Sequence, residues 1–488
     1  MKAERAHPLT SESPLKATDS PSFTAVSISE VVNTGLRLDA QIYSNARKTA
    51  YRELESSNFT LHSLGGENGL AVIYNRPRFK RIFLEKSDYP IYQPSQITDI
   101  YPKPQAFISS LTNTDIDSLR VKQGQILVTC SGTIGSCSFV SDTLDNLIFS
   151  HDVMRIQPKE FAGFIYAYLR TSIGQTLLKT NDYGAVVKHI EPEHMYDLPV
   201  PDMPCELKGD VDRLIKQSYQ LRDESNRLID NSQQLLGYTL QIGDIRELLQ
   251  TSNLLDSTRD ILNFSIPISR LNTRLDASFH NPIVNSIESH LREHAKEVVR
   301  ADDSRLVADV VLPGRFKRVY VDSVNGIPFF GGKQILSLEP NNMKFLSPVH
   351  HRERIERELL VRENMILITC SGTIGKVAIT PKHWDGWTAN QHIARLVPIS
   401  PRIAGFLYAW LSSDIAYPLL ARFTYGAVVD EIDSSHVRRL PIPLLKDASV
   451  QETINDMILH ANEKRFSAYE IEKRAIATVE EHLNLHTN

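Results

Sequence analysis

The 488-residue chain is poor in cysteine, with only Cys130, Cys137, Cys205 and Cys370. Their spacings build neither a disulfide framework nor a zinc pattern, so a reducing cytosol is the simplest compartment. No run approaches the ~18 apolar residues of a membrane helix, and no apolar core of signal-peptide length stands near the start. There is no Gly-x-x-x-x-Gly-Lys-Ser/Thr phosphate loop and no glycine-rich cofactor loop. An Asn/Asp-Pro-Pro-Tyr/Phe methyltransferase motif and a clustered Asp/Glu/Lys nuclease motif are absent as well. Excess positive charge is lacking too: the net charge is -4. These absences argue against an enzyme, a bound cofactor, a bound metal or a membrane role. Hydrophobic content of 41% and charged content of 23% are ordinary for soluble globular protein. The length predicts more than one domain.

What is present is a duplication. Thr129–Gly135 reads TCSGTIG, and Thr369–Gly375 reads it again 240 positions later. Other blocks repeat in the same order. RLDA stands at Arg37 and at Arg274, and RFKR at Arg78 and at Arg315. GFIYAYL at Gly163 becomes GFLYAWL at Gly405, and YGAVV stands at Tyr183 and Tyr425. LPVP at Leu198 becomes LPIP at Leu440. The offset drifts from 237 to 242, so small insertions separate collinear blocks.

Each repeat reads as a mixed α/β domain. Apolar runs such as Gln125–Thr129 end at glycine turns and predict buried strands, with TCSGTIG as strand end, turn and strand start. The spacing predicts one amphipathic helix over Phe161–Leu178. Two prolines in each LPxP block predict an extended exit without a ladder. The boundaries expected are a disordered tail over 1–21, domains over 22–204 and 261–445, a central helix and linker over 205–260, and a distal helix over 446–488.

From Glu206 to about Leu240 the texture changes. Leu214, Leu221, Leu228 and Leu235 recur every seven residues, as do Ser218, Ser225 and Ser232. That is a heptad with leucine at one core position and a small residue at the other. At about 1.5 Å per residue the helix is roughly 50 Å long. The distal helix, read from about Ser449 to Leu483, carries Ala461, Ala468 and Ala475 in the same register, with Met457 and Ile471 matching Leu214 and Leu228. Lys464 and Thr478 break the match. Small residues let helix backbones approach, so the two helices are expected to pack antiparallel as a coiled coil, with the domains at opposite ends of one rod. The fold class is therefore α+β.

Two similar domains on a rigid spacer suit a ligand with two sites at fixed separation, of which duplex DNA is the obvious case. The duplicated (I/L)L(V/I)TCSGTIG block, the YGAVV segment followed by LPxP, and the helix after each domain give the chain a resemblance to specificity subunits of type I restriction–modification systems. The resemblance covers nearly everything from about Ser22. It implies that the repeats are target-recognition domains, each reading half of a split double-stranded DNA target. It further implies that the helices set the gap and dock methyltransferase subunits, two of them. Restriction subunits, S-adenosylmethionine, ATP and Mg²⁺ would then belong to the partners, with the chain itself non-catalytic and cytoplasmic. The domains diverge between shared blocks, as in Pro90–Thr114 against Pro328–Pro348, which implies an asymmetric target.

The candidate DNA contacts are chosen by chemistry. Arg76, Arg78, Lys80 and Arg81, and again Arg315, Lys317 and Arg318, can clamp phosphates or read guanine. Ser131, Thr133, Ser371 and Thr373 offer hydroxyls on the turns, against the plainer reading of a structural turn. After YGAVV stand Lys188 and His189 in the first repeat and Asp430 and Glu431 in the second. The basic pair suits phosphate, and the acidic pair could accept from cytosine. The aromatic residues of GFIYAYL and GFLYAWL read as core. Rival readings are a Cys/His enzyme built on Cys130 and Cys370 with His151 or His392, a coiled-coil adaptor without DNA, and a DNA reader of another phage-defence assembly.

Overall fold

The computed structural model describes residues 25–34, 36–183, 188–243, 248, 264–271, 274–426 and 428–483. The tail read over 1–21 and the linker span 249–260 lie outside the described residues.

Both repeats build the same two sheets. In the first, one sheet has the order β2 (Ala71–Tyr74), β9 (Val153–Pro158), β6 (Ile126–Thr129), β7 (Cys137–Phe139). The other runs β3 (Phe83–Leu84), β5 (Ala106–Ile108), β4 (Pro90–Tyr92), β8 (Ile148–Phe149), with β4 and β8 parallel. The second repeat gives β12 (Val307–Val311), β19 (Ile393–Pro398), β16 (Ile366–Thr369), β17 (Val377–Ile379). Its other sheet runs β13 (Tyr320–Val321), β15 (Lys344–Leu346), β14 (Ile327–Phe330), β18 (Thr388–Ala389), with β14 and β18 parallel. The apolar run read before TCSGTIG is β6, fully buried along its length. Continuous burial, not alternation, is why it reads as an unbroken apolar run.

The LPxP blocks differ from expectation. Each pairs as an edge strand: β10 (Pro199–Pro201) with β1 (Leu61–Ser63), and β20 (Pro441–Leu444) with β11 (Glu297–Arg300). The reason is parity. Leu64 donates to the Leu198 carbonyl and Asp202 to the Thr60 carbonyl. The even positions therefore face the partner, and Pro199 and Pro201 face away, where a missing N–H costs no ladder bond.

The single helix expected over Phe161–Leu178 is two, Ala162–Arg170 and Ser172–Lys179. Thr171 turns extended between them, and its hydroxyl caps the Gly174 amide at 3.1 Å. In both repeats the first of these helices is core: Tyr166, Tyr168, Tyr408 and Trp410 are buried.

The long helices span Cys205–Thr239 and Ala448–His482. Their directions oppose. Val211, Ile215 and Tyr219 share one core with Ala475, Ile476 and Val479, whereas Ile229 and Leu236 share the other with Ile454 and Ile458. Ser218, Ser225, Ser232, Ala468 and Ala475 are 0% exposed, and Ala461 is 1%. The Ser218 hydroxyl donates to the Ala468 carbonyl at 2.8 Å, a contact only close backbones allow. The leucine row sits otherwise than the heptad reading had it. Leu214, Leu221, Leu228 and Leu235 are half-buried, as are Met457 and Ile471, and the full burial falls on Ile215, Ile229 and Leu236. Each long helix also carries its own domain. Asp212 Oδ1 accepts from the Gly163 amide at 2.7 Å, and Asn455 Oδ1 from the Gly405 amide at 2.9 Å.

The repeats do not merely hang at opposite ends of a rod. Ile100 donates to the Leu336 carbonyl at 2.9 Å, and Arg170 reaches Glu339 at 2.6 Å. The domains therefore touch each other across the helix pair.

Candidate nucleic-acid interface

The repeated turn is held by its first threonine. The Thr129 hydroxyl donates to the Thr133 carbonyl and accepts the Ser136 amide. Thr369 does the same with Thr373 at 2.6 Å and Lys376 at 2.9 Å. Gly132 and Gly135 have φ of +74° and +85°, and Gly372 and Gly375 have +74° and +84°, which explains why both turns need glycine there. Ser131 and Ser371 are half-buried, and Thr133 and Thr373 are exposed.

These turns lie beside the post-tyrosine segments. Ser131 bridges to His189, and Ser371 to Glu431. Gly132 donates to the Lys188 carbonyl at 3.3 Å, and Gly372 to the Asp430 carbonyl at 2.9 Å. Of the first YGAVV block, Gly184–Val187 lie outside the described residues. In the second, Gly426 has φ +120° and Val428 is 96% exposed.

The RFKR blocks reach the same place. Cys130 donates its amide to the Asp152 carbonyl, and Arg81 Nη2 meets His151 Nδ1 at 3.3 Å and Asp152 Oδ2 at 3.4 Å. In the second repeat Cys370 donates to the His392 carbonyl at 2.7 Å, and Arg318 Nη2 meets Gln391 at 2.5 Å. Arg78, Phe79, Lys80, Arg81, His151 and Asp152 line one open depression. Arg78, Lys80, Arg315 and Lys317 are exposed, whereas Arg76 is half-buried over the Tyr74 ring at 4.9 Å. Thus basic block, glycine turn and post-tyrosine segment, far apart in sequence, converge at one end of each repeat.

The two ends differ in charge. Lys188 pairs with Asp182 at 2.8 Å, and Arg78 meets no carboxylate among the described residues. In the second repeat Arg315 pairs with Glu431 at 3.2 Å. Glu431 stands where the first repeat has His189.

The geometry does not suit a thiol nucleophile. Burial pushes the Cys130 and Cys370 thiols up to about 12, the opposite of activation. Burial also lowers His151 and His392 from the ordinary histidine value. The Cys370 thiol donates to the Ile368 carbonyl at 3.5 Å, not to an imidazole.

Sequence reading missed a matched pair of buried arginines. Arg155 and Arg395, 0% and 1% exposed, lie 240 positions apart. Arg155 donates to the carbonyls of Val153, Leu119 and Phe149, and Arg395 to those of Ile393 and Leu359 among others. Burial lowers Arg155 to about 10 and Arg395 to about 9. Carbonyls replace a carboxylate partner, so no charge pattern signals these residues; only the repeat alignment could have.

Residues 324–481 match the family model described as type I restriction modification DNA specificity domain. That span, most of the second repeat with the distal helix, is similar to the type I specificity domain, the family the duplicated motifs led us to expect. The first repeat, with the same blocks and strand orders, is its internal counterpart. A solved type I restriction–modification S subunit from M. genitalium aligns over 88% of this chain and 96% of its own, at 11% identity and a TM-score of 0.33. The HsdS subunit of Thermoanaerobacter tengcongensis aligns over 86% of this chain and 98% of its own, at 14% identity and a TM-score of 0.26. No curated protein matches the chain. Among the described residues no helix is long and apolar enough to cross a membrane, and no group of three His, Cys, Asp or Glu could hold a metal.

Proposed function

We propose that this chain is the DNA-reading specificity subunit of a type I restriction–modification complex. Each repeat reads one half of a bipartite, asymmetric duplex target. The convergence of a basic block, a glycine turn and a variable post-tyrosine segment at the same end of both repeats carries this reading. The basic block supplies phosphate clamping, and the variable segment supplies chemistry that differs between half-sites. The long helices act as an antiparallel coiled coil that sets the gap, and their exposed faces dock two methyltransferase subunits. S-adenosylmethionine, ATP and Mg²⁺ act in those and in the restriction subunits, and the assembly works in the cytoplasm.

The test is genome-wide adenine methylation in the native host with and without this gene. Loss of methylation at one split motif with a fixed gap is the expected result. An unchanged methylome in a strain whose methyltransferase subunit is demonstrably expressed contradicts the proposal. Reversing Arg78, Lys80, Arg315 and Lys317 to glutamate separates DNA reading from a scaffold role. DNA binding weakens and loses salt sensitivity while assembly persists; unchanged affinity speaks for the adaptor.

A further inference from the structure

Two clefts flank the helix pair in equivalent places, one against each repeat, and they do not match. The first, lined by Tyr166, Arg170, Arg222, Glu339 and Glu472, holds about 40 Å³. The second, between Asp99–Tyr101 and the turn Thr373–Val377, holds about 390 Å³. Their linings correspond residue by residue through the repeat. Tyr166 matches Tyr408, Arg222 matches Arg465, Arg170 matches Ser412, Glu339 matches Tyr101, and Glu472 matches Ile229.

The first cleft is filled by its own ion network. Glu472 receives Arg222, the Tyr166 hydroxyl at 2.7 Å, and Arg170 at 3.6 Å. Arg170 also holds Glu339 at 2.6 Å. The second cleft keeps the arginine and loses both glutamates. Arg465 is 6% exposed. Its Nε donates to Ser225 Oγ at 2.9 Å and its Nη2 to Asn226 Oδ1 at 3.3 Å. Its Nη1 meets no acceptor and the guanidinium no carboxylate among the described residues. A guanidinium held this deep without a counter-charge is costly. Lys376 lines the same cleft; it forms no ion pair among the described residues, and the carboxyl it acts on is the buried Asp99. The rest of the wall is mixed: Ile229, Trp384, Tyr408 and Leu411 give it an apolar and aromatic part, and Lys103, Asp99 and Asp414 also line it. The size is that of a small-molecule site.

We propose that this second cleft binds a small organic anion: an aromatic body bearing a phosphate or carboxylate, its head on Arg465 and Lys376 in the place that Glu472 fills on the other side. The cleft shares the turn Thr373–Gly375 with the proposed DNA-facing end of the second repeat, but Arg465 lies on the distal long helix, so binding of a small anion is read independently of DNA binding. Because segments of both repeats line it, its occupant touches both.

The test is isothermal titration of the purified full-length chain with 1-naphthyl phosphate, with 1-naphthol and inorganic phosphate as single-feature controls. Saturable binding of 1-naphthyl phosphate is expected, at least tenfold tighter than either control. Ile229→Glu gives Arg465 the carboxylate its counterpart has, and should abolish binding without lowering the melting temperature. Lys376→Met, on a half-exposed turn, should weaken binding at least fivefold and serves if Ile229→Glu fails to fold. No saturable binding by the wild-type chain, or binding unchanged in the folded variants, overturns the site.

Discussion

Asp99 and Ser337 occupy the same position in the two repeats, and they pair with each other. The bridge is antiparallel, as an approximate two-fold requires of equivalent residues. It buries a carboxyl: Asp99 is 8% exposed, and burial, opposed by Lys376, raises it to about 7 from 3.8. The sign follows from linkage. Below about 3.8 the folded and unfolded chains both hold the proton. Between there and about 7 only the folded chain holds it, so stability from this group falls across that window and is flat above it. Asp99→Asn removes the loss. Its unfolding free energy should exceed that of the wild type by an amount that grows from pH 5 to 7 and then levels, reaching a few kcal/mol at most by order of magnitude, with the melting temperature following. Calorimetry at four pH values checks this; a constant difference refutes the burial argument.

Gly163 and Gly405 are where each domain locks onto its long helix. A Cβ at Gly163 would lie 2.7 Å from the Asp212 carbonyl oxygen, and one at Gly405 would lie 2.2 Å from that of Asn455. Helix backbone stands on both sides, so neither can yield cheaply. Alanine at either position should cost roughly 1–3 kcal/mol or more. Gly209→Ala is the contrast, since its Cβ meets only Phe161 at 3.9 Å inside a helix. It should stabilise by about 0.5–1 kcal/mol. Denaturant melts of the three variants decide whether the close approach is the cause.

Much of this was legible because the chain states it twice. Both long helices end within a residue or two of their expected limits, since a proline-free heptad stretch flanked by LPxP is a strong local signal. The turns were legible because glycine at positive φ leaves a mark. The leucine row misled because the seven-residue period fixes which residues share a stripe but not which stripe is central. The buried Ser and Ala row takes the centre and pushes the leucines to its flanks. The break at Thr171 was hidden because apolar spacing continues across it, while a capping hydroxyl ends the helix. The contact between the repeats was invisible because Ile97–Tyr101 and Ile335–Glu339 carry no common pattern beyond ordinary apolar spacing.

Cys130 and Cys370 test the non-catalytic reading directly. Both thiols are buried and pushed up to about 12, so neither supplies a thiolate at neutral pH. Serine is nearly isosteric, and the Thr129 and Thr369 hydroxyls, not the sulfurs, hold the turns. The double variant Cys130→Ser/Cys370→Ser should support modification in cells at the wild-type level, with a stability loss of about 1–2 kcal/mol from burying hydroxyls. Loss of modification by a stably folded, assembled double variant would sink the reading.

Glu431 should set how strongly the second repeat holds phosphate. It pairs with Arg315 at 3.2 Å, but Arg315 is 80% exposed, so the pair contributes little to folding. Its larger effect is on the field at the end proposed to face DNA, where the first repeat has His189 instead. Glu431→His frees Arg315 and removes a like charge from the phosphate's approach. The slope of log affinity against log salt should steepen by about one, with affinity rising at low salt. The reciprocal change, His189→Glu, puts a carboxylate where the second repeat has Glu431 and should make the slope shallower by about one. Fluorescence anisotropy with duplex DNA across a potassium chloride series measures both. Opposite shifts of similar size place the two segments on equivalent DNA-facing surfaces, whereas two unmoved slopes would take both segments out of the interface.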